Sequence, residues 1–178
     1  YAHIKLGSDT IAKVKASEGA NKVKVQFGNV ELWDTENPRL YSVSLKIDTD
    51  DIIERIGFRK IEAKNKKIYL NNKELRLKGI NRHNDCPDFG FSMPFVLMKR
   101  DIEIIKDMGC NIIRGSHYPN PEILLDYLDQ TGMLFWEEIP MWGFNKNSLA
   151  DPLTSERGLM MHKEMIKGNM DLLSVIVN

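Results

Sequence analysis

Two short apolar runs in this chain each end in side chains able to do chemistry. Asn111-Ile-Ile runs into Arg114, Ser116, His117 and Tyr118, and Met133-Leu-Phe-Trp runs into Glu137 and Glu138. A third run, Glu74-Leu-Arg-Leu-Lys-Gly-Ile, ends in Asn81, Arg82, His83, Asn84 and Asp85. Arg offers a planar fork of donors for a carboxylate, and His offers directional ring donors that titrate near neutrality. Carboxylates accept from hydroxyls or act as acid, base or nucleophile. Glu137 and Glu138 are neighbours on a strand and must point opposite ways, so at most one of them faces a common site.

For these groups to meet, the strands carrying them must be parallel, because parallel strands joined by helices bring their C-terminal ends to one edge. The intervening sequence supplies such helices. Pro94 can open one, with Phe95, Met98, Ile102, Ile105 and Met108 at three- and four-residue spacing and a stop at Gly109. Asn120 can cap a second and Pro121 start it; Ile123, Leu124, Tyr127 and Leu128 form its stripe, and Gly132 ends it. A longer connection, 140–155, precedes a third pattern in Leu159, His162, Met165 and Ile166, and Ser174-Val-Ile-Val reads as a fourth strand. The order β-α-β-α-β-α-β with short connections requires a parallel sheet with right-handed crossovers.

The first sixty residues differ in texture. Lys22-Val-Lys-Val-Gln-Phe and Leu40-Tyr-Ser-Val-Ser-Leu-Lys-Ile alternate polar and apolar, and Asp34 to Pro38 and Asp48 to Asp51 are turn-rich. With short strands around Ile4, Leu6, Ile11 and Val14, residues 1–62 read as a β-sandwich with its first strands missing, and Trp33 fits that sandwich core. Asn71-Asn72-Lys73 is a hairpin signal at the start of the second region, 63–178. The Lys64 to Lys67 cluster reads as a solvated turn between the two.

Composition excludes several classes. The 178 residues carry 25 Lys plus Arg against 25 Asp plus Glu, so no basic field points to nucleic acid or an anionic membrane surface. No apolar run approaches the length of a membrane span, and the N-terminus lacks a signal-peptide layout. Cys86 and Cys110, without paired spacing, read as free thiols of a reducing, cytoplasmic compartment. Two His and a Glu could ligate a cation, but no HxH or HxxxH spacing supports a metal site.

Five segments in unbroken order carry a resemblance: Asn37-Pro-Arg-Leu-Tyr, Ile56-Gly-Phe-Arg-Lys-Ile-Glu, Leu77-Lys-Gly-Ile-Asn-Arg-His, Asn111-Ile-Ile-Arg-Gly-Ser-His-Tyr-Pro and Trp136-Glu-Glu-Ile-Pro. Together they resemble glycoside hydrolase family 2, the β-galactosidases, β-glucuronidases and β-mannosidases. The resemblance implies a multidomain β plus α/β fold, an immunoglobulin-like β-sandwich over 1–62 followed by the N-terminal half of a (β/α)8 TIM barrel over 63–178, truncated near strand four. It implies retaining hydrolysis of terminal β-glycosides, β-galactosides or β-glucuronides, by two carboxylates about 5 Å apart. In the family pattern both catalytic Glu fall beyond Asn178, the acid/base in an Asn-Glu pair just after strand four. The chain alone is therefore expected to be inactive. Where the family has Arg-Asp-x-Asn-His-Pro-Ser, this chain has Gly168-Asn-Met-Asp-Leu-Leu-Ser.

The same resemblance makes His83 a sugar-binding residue and His117 a donor to the transition state. Arg114 would hold the nucleophilic carboxylate ionised, or be only an ion-pair partner in the barrel interior; Glu138 is an acceptor from sugar hydroxyls or the mate of Arg114, and Trp142 a face for a pyranose, with Asn84 or Asp85 at the rim. Glu137, His3 and His162 are expected to be structural. No cofactor is implied; some relatives use Mg²⁺ or Na⁺, whose ligands are not recognisable here. The implied partner is a carbohydrate, with neither nucleic acid nor membrane, and open barrel edges leave a homo-oligomer open. A non-catalytic carbohydrate-binding module and a scaffold fragment are the competing classes; Arg114, His117 and Glu138 on parallel strands argue against the first.

Overall fold

A computed structural model describes residues 1–26, 28–169 and 174–177. Four strands open the chain: β1 (Ala2–Leu6), β2 (Asp9–Val14), β3 (Tyr41–Ile47) and β4 (Asp50–Ile56). They form one antiparallel sheet in the order β2-β1-β3-β4. The alternation at 40–47 produces β3, which pairs with β1 on one side and β4 on the other. The equally regular alternation beginning at Lys22 does not produce a strand over 22–26, and Phe27 lies outside the described residues. Alternation supplies a face but not a ladder, and no described strand lies alongside this stretch. Among the described residues this one sheet is the stranded layer of the β-sandwich expected over 1–62.

The second sheet, β5 (Ile61–Lys64), β6 (Lys67–Leu70) and β7 (Lys73–Leu75), is a short antiparallel meander. Its two turns each hold both central residues at positive φ, Asn65 and Lys66 at 52° and 60°, Asn71 and Asn72 at 51° and 67°. That is the type I′ geometry whose twist matches a hairpin, and Asn tolerates it. A boundary after Glu62 runs through β5, since Ile61 and Glu62 already pair with Leu70 and Tyr69.

The third sheet is parallel, in the order β11-β10-β9-β8, from β8 (Gly79–Arg82), β9 (Ile112–Gly115), β10 (Leu134–Glu137) and β11 (Val175–Val177). Helix α1 (Phe95–Asp107) follows β8, α2 (Glu122–Thr131) follows β9, and α3 (Lys146–Ala150) with α4 (Pro152–Gly168) follow β10. This is the start of a (β/α) barrel, with no closed barrel among the described residues. Part of the expected connection 140–155 is helical. Asn145 accepts from the backbone N–H of Asn147 and Ser148, and Asp151 accepts from Thr154 ahead of Pro152, so two caps define the helices. Asn120 does not cap α2: Pro121 occupies that position, and the Asn120 amide donates to the Tyr118 carbonyl. Of the departure from the family pattern over 168–174, residues 170–173 lie outside the described residues.

The sheet's two faces are buried differently. On the helix side, Met98, Ile102 and Ile105 of α1 and Leu124, Leu125 and Leu128 of α2 pack on Ile113, Phe135 and Val175. On the opposite face, Ile112 and Leu134 meet Trp33 and Leu70, with Leu75 and Leu77 at the margin. Trp33 is thus 0% exposed at the seam between the regions rather than inside a sandwich. Its indole N–H donates to the Asp129 carbonyl at 2.7 Å, while its own carbonyl accepts from Asn71.

Candidate active site

Parallel register aligns Asn81, Arg114 and Trp136 across β8, β9 and β10, so their side chains share one face near the C-terminal edge. Arg114 lies just before that edge. Its guanidinium meets Glu138, the residue after β10, in a two-pronged ion pair: Nε to Oε1 at 2.7 Å and Nη2 to Oε2 at 3.0 Å. The remaining Nη1 reaches Ser116 Oγ at 3.3 Å and Asn81 Oδ1 at 3.4 Å. This fork geometry is what Arg supplies and Lys does not.

His117 completes the cluster, its Nδ1 lying 2.9 Å from Glu138 Oε2. The same nitrogen lies 3.3 Å from Arg114 Nη2, so guanidinium and carboxylate both converge on this edge of the ring. Burial on its own pushes the Glu138 carboxyl up, but hydrogen bonds from His117 and Arg114 and the charge of Arg114 outweigh it, and the group is held below the ordinary carboxylate range. Glu138 therefore stays charged, its side chain only 15% exposed.

Trp142, exposed on the loop after β10, stacks on His117 with ring centres 5.6 Å apart and planes at 26°. His83, exposed just past β8, meets His117 edge to face at 5.3 Å. A pocket of about 230 Å³ is lined by Arg114, His117, Glu138, Ile139, Met141 and Trp142. Ile139 and Met141 carry no chemical signal in the sequence. Asn81 does, since it occupies the strand position level with Arg114.

Two of the sequence candidates fall elsewhere. Asn84 is 4% exposed: its Oδ1 accepts from Arg82, its Nδ2 donates to the Phe91 carbonyl, and its backbone N–H donates to the Tyr118 hydroxyl. It braces the loops instead of reaching the pocket. Asp85 is exposed in the same loop and does not line the pocket.

Glu137 points to the other side, as strand alternation requires. It is 1% exposed, accepts from the Asn120 backbone N–H at 3.0 Å and is hydrogen-bonded by the Asn169 amide. Burial pushes its carboxyl up against the pull of these two donors. It ties the loop bearing His117 to the end of α4.

Among the described residues no group of three or more His, Cys, Asp or Glu could hold a metal ion, and no helix is long and apolar enough to cross a membrane.

A parallel strand-helix series with a hydrogen-bonded Arg–Glu–His cluster at its C-terminal edge is the layout of an α/β-barrel site. Residues 61–171 match the glycosyl hydrolases family 2 TIM barrel domain, and residues 2–59 match glycosyl hydrolases family 2, so the chain belongs to that family. It is 40% identical over 125 residues to a β-galactosidase of Thermoanaerobacterium thermosulfurigenes, covering 67% of this chain and 18% of that protein. It is 33% identical over 166 residues to a putative β-glucuronidase of Formosa agariphila, covering 88% of this chain and 20% of that protein. Among solved structures, a GH2 β-galacturonidase from Eisenbergiella tayi bound to galacturonate superimposes with a TM-score of 0.84 at 35% identity, over 98% of this chain and 32% of that one. A β-glucuronidase from Ruminococcus gnavus in complex with D-glucuronic acid gives 0.82 at 29% identity, over 98% and 31%. The chain thus spans about a fifth of the length of these two curated relatives.

Proposed function

We propose that this chain forms one sugar-binding wall of a retaining exo-β-glycosidase that removes terminal β-galactoside or β-glucuronide units. The observation that carries the reading is the Arg114–Glu138–His117 cluster beneath the Trp142 ring. Glu138, held in charge by Arg114, fixes the imidazole of His117, which lines the pocket. Trp142 offers a flat surface to the apolar side of a pyranose, and His83 stands beside the cluster as a further hydroxyl partner.

Retaining hydrolysis needs two carboxylates about 5 Å apart, one of them protonated to serve as acid. Among the described residues this pocket is lined by a single carboxylate, Glu138, locked in an ion pair and held ionised, while Glu137 faces away. The nucleophile and the acid/base must therefore come from other segments of a longer polypeptide, and this chain on its own binds sugar without cleaving it. The binding is readable by ligand-observed NMR on the purified chain with methyl β-galactoside and methyl β-glucuronide, and His117→Ala should abolish it. Absence of saturable binding would remove the sugar-wall reading. Release of nitrophenol from nitrophenyl β-glycosides by this chain would remove the proposal that both catalytic carboxylates lie elsewhere.

A further inference from the structure

The first sheet carries a row of basic side chains on one face. His3 of β1 lies opposite Lys13 of β2 and opposite Lys46 of β3, so the three stand side by side across three strands. Lys5 follows His3 by two residues and shares its face, while Ala2, Ile4 and Leu45 take the other. Tyr1, His3, Lys5, Lys13, Lys46 and Asp48 line a cleft of about 450 Å³. Lys13 Nζ stands 4.9 Å from the centre of the Tyr1 ring, which is itself 68% exposed. Sheets usually pair their surface charges, because like charges brought together across strands repel and opposite ones attract. In and beside the β5–β7 meander, Lys60 and Lys67 are each paired with a carboxylate, Glu62 and Glu74. The cleft is different: its three ammonium groups face one carboxylate, Asp48. Asp51 of β4 lies opposite Lys46, yet among the described residues Lys5, Lys13 and Lys46 form no ion pair.

We infer that this cleft binds an acidic carbohydrate chain, with its carboxylate or sulfate groups held by Lys5, Lys13 and Lys46 and the apolar side of one sugar ring laid on Tyr1. Neighbouring strands lie about 4.8 Å apart, so Lys13 and Lys46, two strands from each other, leave the sheet roughly 10 Å apart. Successive charges of one chain can therefore be met by different lysines. A nucleic acid fits less well, because its backbone needs a longer basic track and the chain's 25 Lys plus Arg are balanced by 25 Asp plus Glu. The cleft shares no lining residue with the pocket at Arg114, His117 and Glu138, and its assignment stands apart from the sugar-wall reading.

The test titrates the purified chain with oligogalacturonate, its methyl ester and dextran sulfate, both as it stands and as the His117→Ala variant, which takes the sugar pocket out of play. At least one acidic chain should bind both forms, more weakly as salt screens the charges, and the uncharged ester should bind less well than its acid. Replacing Lys13→Gln and Lys46→Gln together should weaken acidic-chain binding by roughly two- to thirtyfold, the range two exposed ion pairs supply. Both side chains are exposed, so the fold should survive, and Lys13→Arg with Lys46→Arg should keep the affinity. Tighter binding of oligogalacturonate assigns the cleft to carboxylates, and tighter binding of dextran sulfate assigns it to sulfates. An equal loss from Lys64→Gln with Lys66→Gln, exposed lysines outside the cleft, would mean diffuse attraction and overturn the site. Equal affinity for the ester, tighter binding of duplex DNA than of either acidic sugar chain, or no binding of either acidic chain would overturn it as well.

Discussion

The two ends of the parallel sheet are built on opposite principles. At the N-terminal end, Trp33 seals apolar side chains from two sheets, and its polar atoms are matched to the Asp129 carbonyl and the Asn71 side-chain amide. At the C-terminal end, Arg114, Glu138 and His117 satisfy one another, and Trp142, stacked on His117, stays 74% exposed. One end is closed and the other is poised, which is how barrels divide stability from function. Substitutions at the two ends should therefore fail in different ways.

The largest effect is expected at the closed end. Trp33→Ala removes the most buried large side chain of the seam and leaves a cavity, costing about 3–5 kcal/mol in urea unfolding. Sugar affinity of the molecules that remain folded should be unchanged, because Trp33 contributes nothing to the pocket lining. A loss of affinity with little loss of stability would reverse the assignment of the two ends.

Arg114→Ala tests the poised end. It leaves the Glu138 carboxylate with His117 alone, and the half-buried Arg side chain keeps the stability cost to about 1–3 kcal/mol. Binding should suffer more than stability, falling by at least about tenfold. Arg114→Lys should not rescue it, since an ammonium cannot reproduce the two-pronged contact.

Between these lies Gly132, the left-handed end of α2 with φ of 72°, where an added Cβ would stand 2.6 Å from the Thr35 carbonyl oxygen. Gly132→Ala combines backbone strain of about 1–2 kcal/mol with a contact that the first region must yield to. Gly109, also at positive φ but with open space around its Cβ, should cost less on the same substitution. Equal costs at the two positions would remove the seam contribution.

The same contrast governs what could be read from the residues. Local signals predicted local structure well: Asn71-Asn72 made its turn, Pro94 and Gly132 bounded their helices, and parity on β10 separated Glu137 from Glu138. The nearness of Arg114 and Glu138 was legible too, because short crossovers force both to one edge, while their pairing was only one of the roles open to each. What depended on distant partners was not legible. The alternation after Lys22 lacked a neighbouring strand to pair with, and Trp33 is buried by residues as far away in sequence as Leu134. Asn84 looked like a rim residue because its position after β8 was clear while its partners, Arg82, Phe91 and Tyr118, converge only in three dimensions.

The smallest effect separates the two adjacent glutamates by the sign of their pH dependence. Glu138 has a folded-state value below the ordinary one of about 4.3, so its stabilising pair is fully present above that pH and is lost as pH falls through the lower folded value. Glu137 is the reverse: its folded value is raised, so its contribution is fully present below the ordinary value and is lost as pH rises through the higher folded one. Glu138→Gln should therefore flatten the acid side of the stability profile, below about pH 4, and leave the rest. Glu137→Gln should flatten the decline above that point, since a neutral amide there has no ionisation to suppress, and turning the Asn169 amide lets it accept from the new N–H. Urea midpoints at half-unit pH intervals distinguish the two variants. Identical slopes would mean that the carboxylates share one environment, which their placement on opposite sides of β10 forbids.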